Sequence, residues 1–160
     1  MKLLVATLLA ATTFAQPAIA TEQAAKSPLL GVWAVDLSRL PMAPAARPKS
    51  VTITFSEVAS NRLRTWVEVV DPSGNRLEAD GVTPLDGVAT AVKPNFESDI
   101  SATSMPRPEV LIMQLGKNGS PASTRIYAVT TDGNSMIETV AHFTADGKPV
   151  LRRNHFTRIR

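Results

Sequence analysis

Residues 130–159, TTDGNSMIETVAHFTADGKPVLRRNHFTRI, carry an Asp-Gly step twice, and each copy is followed by a strand-length segment of alternating polarity. Asp132-Gly133 and Asp146-Gly147 read as two-residue hairpin turns, because type I′ geometry needs positive φ at both central residues and Asp-Gly tolerates it. The chain is therefore expected to end in a β-meander. Asn118-Gly119 is a third such step, set between PEVLIMQLGK and SPASTRIYAV. Two-residue turns at all three places pair Leu111 with Ile126, Ala128 with Ile137, and Ile137 with Phe156. One apolar layer follows, made of Leu111, Met113, Ile126, Ala128, Ile137, Ala141, Phe143, Val150 and Phe156. The same register sets Tyr127, Glu138 and His155 in a polar row on the opposite face.

Strand patterning continues upstream. GVWAVDL opens the ordered chain, and VTITFSE turns Val51, Ile53 and Phe55 one way and its hydroxyl residues the other. LRTWVEVV repeats the alternation and runs into the turn chemistry of Asp71-Pro72-Ser73-Gly74. Between the first two strands lies SRLPMAPAARPKS, where Pro41, Pro44 and Pro48 exclude both a regular helix and an interior strand. The middle of the chain is broken at Gly81, Pro84 and Gly87, and a strand is expected near residues 98–104. About eight to ten short strands without a helical period indicate an all-β, antiparallel, up-and-down barrel, closed because closure removes exposed edges.

The N-terminus, MKLLVATLLAATTFAQPAIA, has one lysine, an apolar run over 3–15 and the small-x-small step Ala18-Ile19-Ala20. This is the pattern of a secretory signal peptide cleaved after Ala20, and the run is too short to span a bilayer. The expected organisation is a signal peptide at 1–20, a flexible lead-in at 21–29 and one barrel domain at 30–160, located in the periplasm or secreted. The chain has no cysteine, so disulfides do not brace it.

A formal net charge of +3 over 160 residues is a weak field. With few aromatic residues to stack on bases, nucleic acid is not an expected partner. The only histidines are His142 and His155; without cysteine they fall short of the three or four ligands a zinc site needs, so no metal is expected. No phosphate-cradling glycine pattern and no Gly-x-Ser-x-Gly turn occurs, and no cofactor is expected. Glu138 beside His155, with Tyr127 in support, is the one constellation suited to acid–base chemistry.

Gly31-x-Trp33 followed by Asp36 and Ser38, the segment ARPKS before VTITF, and the two Asp-Gly strands closing on Phe156-Thr157-Arg158 resemble a group of bacterial exported proteins. These have a lipocalin-like, calycin-type β-barrel and are largely without assigned function. The resemblance covers nearly the whole chain after the signal peptide. It implies that Gly31, Trp33 and Arg158 close one end of the barrel, with the arginine lying across the indole. Trp33, Phe55, Met113, Ile126, Ile137, Phe143 and Phe156 would then line the interior. There is no helix after the last strand, so ligand binding of the vertebrate lipocalin type is not implied.

Three functional readings follow. The first is an exported noncatalytic barrel holding a small apolar or amphipathic ligand. The second is an envelope interaction module that acts through its surface, by the Pro-rich loop at 38–49 or by Arg152 and Arg153. The third is an enzyme using Glu138 and His155. A hollow interior favours the first reading, and a Glu138–His155 pair lining a pocket is required by the third.

Overall fold

Ten segments in which β-branched and other apolar side chains alternate with polar ones form ten antiparallel strands. They are β1 Gly31–Val35, β2 Ser50–Ala59, β3 Arg62–Val70, β4 Arg76–Pro84, β5 Thr90–Ala91, β6 Ile100–Arg107, β7 Val110–Lys117, β8 Ser120–Val129, β9 Ser135–Phe143 and β10 Pro149–Arg158. The computed structural model describes residues 26–59 and 61–159. The expected signal peptide and most of the lead-in lie outside the described residues. Each strand pairs with its sequence neighbour except β4 with β5, and β10 returns to pair with β1. The result is a nearly closed up-and-down barrel.

The gap falls where the sequence is richest in breakers. Pro84 ends β4 and Gly87 carries a positive φ of 76°. Across the gap the Thr83 hydroxyl donates to Thr103 Oγ1 at 3.0 Å, and Asp86 bridges to Ser104. One hydroxyl pair and a short main-chain bridge, with the Gly87 N–H donating to the Thr103 carbonyl, therefore join the two edges where the regular ladder does not.

Inside, one face of every long strand contributes to the core. Trp33, Ile53, Phe55, Leu63, Leu111, Met113, Tyr127, Met136 and Phe156 are buried together. Tyr127 is the hub of an aromatic chain, with its ring centroid 5.2 Å from Phe55 and 6.5 Å from Phe156, both edge-on. Leu29 is also fully buried, so the ordered chain starts ahead of residue 30 and the expected lead-in ends sooner than residue 29.

The expected apolar layer is only half right, and two one-residue shifts explain why. Asn118 and Gly119 have φ of 52° and 74° and make the expected two-residue turn between Lys117 and Ser120. An extra residue on β8, Ala122, then bulges between Pro121 and Ser123 opposite Gly116 and Leu115 of β7 and slips the register, so Leu111 faces Tyr127 instead of Ile126. At the last hairpin only Gly147 takes positive φ, 79°, and the loop closes between Thr144 and Lys148 with three residues instead of two. Phe156 therefore faces Met136, and His155 faces Ile137. A one-residue slip exchanges the two faces of a strand. The first slip turned β8 and β9 over relative to β7, and the second turned β10 back. Met113 and Phe156 are accordingly inside as expected, whereas Ile126 and Phe143 are exposed by 38% and 70%. Ile137 stands on the outer face between buried Met136 and Glu138.

Candidate functional site

The face inversion brings the polar row indoors. Tyr127 and Glu138 sit opposite each other on β8 and β9 and are both 2% exposed. The third member of the row is Asn154, not His155, because the three-residue loop moves β10 by one position. Asn154 Nδ2 donates to Glu138 Oε2 at 2.6 Å. The Glu138–His155 pair that acid–base chemistry requires is thus absent. His155 lies on the outer face, in a groove with Asp36 and Ile137. His142 faces Val150 across β10, and its Nδ1 is buried without a partner.

Arg125, two residues before Tyr127 and on the same face of β8, completes the cluster. Its two terminal nitrogens serve different carboxylates: Nη1 donates to Glu138 Oε1 at 3.1 Å and Nη2 to Glu97 Oε1 at 2.8 Å. Glu97 comes from the connection between β5 and β6. Asn95 fixes that connection by accepting from the backbone N–H groups of Glu97 and Ser98 at 2.8 and 3.0 Å. The Lys117 ammonium ties the same loop down through the carbonyls of Asn95 and Phe96. Burial by itself opposes the charge on Arg125, but Tyr127 and the two carboxylates outweigh it and hold its pKa above the ordinary arginine value. Burial, reinforced by the charge of Glu138, pushes the Tyr127 hydroxyl well above the usual tyrosine range, so it remains a neutral donor.

Two lobes border the Arg125–Glu97 bridge. The larger, about 190 Å³, is lined by Ile53, Val67, Val69, Tyr127, Glu138 and Phe156, and at its mouth by Leu40, Met42 and Pro48. Those last three belong to the Pro-rich connection between β1 and β2. It folds as two single 3-10 turns, Leu37–Arg39 and Pro44–Ala46, joined by Arg47, whose guanidinium donates to the carbonyls of Met42 and Leu40. The segment expected as a surface-interaction loop therefore also roofs the cavity. The smaller lobe, about 40 Å³, lies toward the β4–β6 gap among Thr65, Ala79, Thr83, Ser98, Ser101 and Met113. Glu97, Arg125, Tyr127 and Val67 border both lobes.

The opposite end is shut. Trp33 is fully buried, its Nε1 donates to the Leu29 carbonyl at 2.8 Å, and the Arg158 guanidinium lies 4.1 Å from the ring centroid. Arg158 also donates to the carbonyls of Gly133, Leu30 and Pro28. Gly31 begins β1 with φ of 128°, which side-chain-bearing residues rarely adopt.

Of the residues expected to line the interior, Trp33, Phe55, Met113 and Phe156 are buried and Ile126, Ile137 and Phe143 lie on the outer face; Tyr127 and Glu138, expected on the opposite face, lie inside, and Arg125, Glu97 and Asn154 were not expected there. The parity of Arg125 with Tyr127 was a usable signal for the first. The arrival of Glu97 from a distant loop left no local trace.

No protein-family model matches the chain, and no curated protein matches it. Two solved structures share its fold. One is a crystal structure of a point mutant of the fluorescent protein UnaG, 15% identical, spanning 83% of this chain and 97% of its own, with a TM-score of 0.56. The other is a Schistosoma mansoni fatty acid binding protein in complex with arachidonic acid, 17% identical, spanning 84% of this chain and 98% of its own, with a TM-score of 0.52. At such identities the likeness concerns architecture alone, and the architecture is that of an antiparallel up-and-down β-barrel.

Proposed function

We propose that the protein is an exported, noncatalytic barrel that holds a small amphipathic molecule, its apolar part in the larger lobe and its polar head at the Arg125–Tyr127 cluster. The observation that carries this reading is the unfilled lobe of about 190 Å³, walled by apolar side chains and floored by oriented polar ones. Lobes of this size fall below the roughly 300 Å³ at which ordinary ligand pockets begin, so the occupant is short or the Pro-rich roof moves to admit it. Further support comes from the barrel with arachidonic acid bound, which shares this architecture. The export component rests on the N-terminal sequence pattern.

Native mass spectrometry of the protein isolated from its own compartment tests the reading. The expected result is a mature chain beginning at residue 21 with a retained small-molecule mass that organic extraction removes. An intact Met1 would end the export component. A bare chain that also takes up no neutral fluorescent apolar probe, such as Nile red, would end the binding reading.

A second reading has one observation in its favour. Phe143 and Leu151, exposed by 70% and 75%, share the outer face of the β9–β10 hairpin with Arg153. An envelope partner docking there would be lost on Phe143→Ser with Leu151→Ser, while interior probe binding stayed unchanged.

A further inference from the structure

At mid-barrel the Arg125 guanidinium is already outnumbered. Nη1 and Nη2 of Arg125 are each committed to a different carboxylate, and Nε reaches Ser123 Oγ at 3.4 Å. The side chains of Arg125, Glu97 and Glu138 are 16%, 17% and 3% exposed, so water screens the trio poorly. One positive group faces two negative ones. The surrounding charges do not redress the balance. Asp80 borders the smaller lobe and is held by Arg64 through two bonds of 2.8 Å. Lys117 is spent on backbone carbonyls, and Arg152 stands exposed at the mouth of the larger lobe.

A second observation marks the same place as unfinished. Thr65 lines the smaller lobe together with Glu97 and Arg125, is 9% exposed, and its hydroxyl has no hydrogen-bond partner. A buried unpaired hydroxyl is disfavoured unless something comes to meet it. Glu97 uses Oε1 on Arg125, and no bond to its Oε2 is seen among the described residues.

We infer that the barrel selects an amphiphile with a non-anionic head that donates hydrogen bonds, a hydroxyl, amide or ammonium group, and that Glu97 excludes carboxylates. A donor head that passes the bridge into the smaller lobe, which Thr65 and Glu97 both line, can meet Glu97 Oε2 and the Thr65 hydroxyl while Arg125 keeps its two carboxylates. A carboxylate head would be desolvated next to a site of its own charge sign, where it would compete with Glu97 and Glu138 for the same guanidinium. This inference rests on the binding function proposed above, and it names the ligand class that the same cavity admits.

Isothermal titration of the mature chain with octan-1-ol, octylamine and octanoate provides the test, the tail being kept short to suit the larger lobe. Octanol and octylamine are expected to bind, with octanoate weaker by about tenfold or more, as a misplaced buried charge implies. Glu97→Gln should reverse the order, with octanoate gaining and octylamine losing about tenfold, and Thr65→Val should weaken octanol while keeping the original order. Octanoate binding as tightly as octanol to the unmodified protein overturns the inference and leaves the binding function standing. An unchanged order in a folded Glu97→Gln variant likewise overturns the inference alone. If none of the three homologues binds, the binding function and the inference fall together.

Discussion

Two arginines enter this barrel and do opposite things there. Arg158, at the closed end, meets three backbone carbonyls and an indole face, groups that would otherwise be poorly satisfied where the strands converge. Its charge faces no counter-ion among the described residues, and its hydrogen bonds tie the N-terminal segment and the β8–β9 turn to the barrel. Arg125, at mid-barrel, meets two carboxylates that need not have been inside at all. An apolar trio in their place would fold as well or better, since buried ion networks seldom repay their desolvation. The contrast teaches that one charge solves a structural problem while the other is part of one. A charged cluster kept at mid-barrel, beside empty volume, fits the proposed binding function better than a role in stability.

The comparison breaks most visibly at the cluster. Arg125→Ala leaves Glu97 and Glu138 without their cation, and equilibrium urea unfolding should show a loss of about 3–5 kcal/mol. Neutralising the whole group with Arg125→Met, Glu97→Gln and Glu138→Gln should recover more than half of that loss. A triple variant no more stable than Arg125→Ala would mean that the arginine acts by packing instead of by charge. Arg158→Met should show a smaller loss, about 2 kcal/mol, from unpaired carbonyls and the lost cation–π contact. No second substitution can rescue it, because its hydrogen-bond partners are main-chain atoms. Rescue of Arg158→Met by a side-chain change elsewhere would erase the distinction between the two arginines.

The same contrast explains what could be read from the sequence. The closed end is assembled from residues near the two chain ends of the domain, and Gly31, Trp33 and Arg158 carry it in recognisable local patterns. The pairing of Tyr127 with Glu138 was also legible. The β8–β9 loop closes at Thr130 and Ser135, one residue wider on each side than a two-residue turn, and this leaves the register intact. The face that this pair occupies was not legible. It depends on the bulge beside Pro121 and on Asp146-Gly147 closing as a three-residue loop, and an Asp-Gly step is compatible with either loop length. Glu97 was beyond reach for a different reason. Its contact with Arg125 spans 28 residues and is set by a loop, not by a periodic element. Strand alternation reports which residues share a face, while turn length and bulges decide which face is the inner one.

The smallest effect concerns the loops that set this parity. The Asp132 carboxyl is held below the usual range by the Thr130 hydroxyl and then by the Asn134 N–H, and the Asp146 carboxyl by Lys148 and then by the Thr144 hydroxyl. A folded pKa below the unfolded one contributes stability that is present above the unfolded carboxylate value, near 3.9, and is lost as pH falls through the folded value. Both carboxylates are solvent-exposed and screened, so the contribution is modest and should shrink further in high salt. Thermal melts between pH 5 and 2 should therefore fall less steeply for Asp132→Asn with Asp146→Asn than for the unmodified chain. The interior bridge is shielded from solvent and should give its variants the same deficit at low and high salt. A turn variant whose pH slope matches the parent would show that Gly133 and Gly147, through backbone conformation alone, fix the two loops and with them the inward face of β9 and β10.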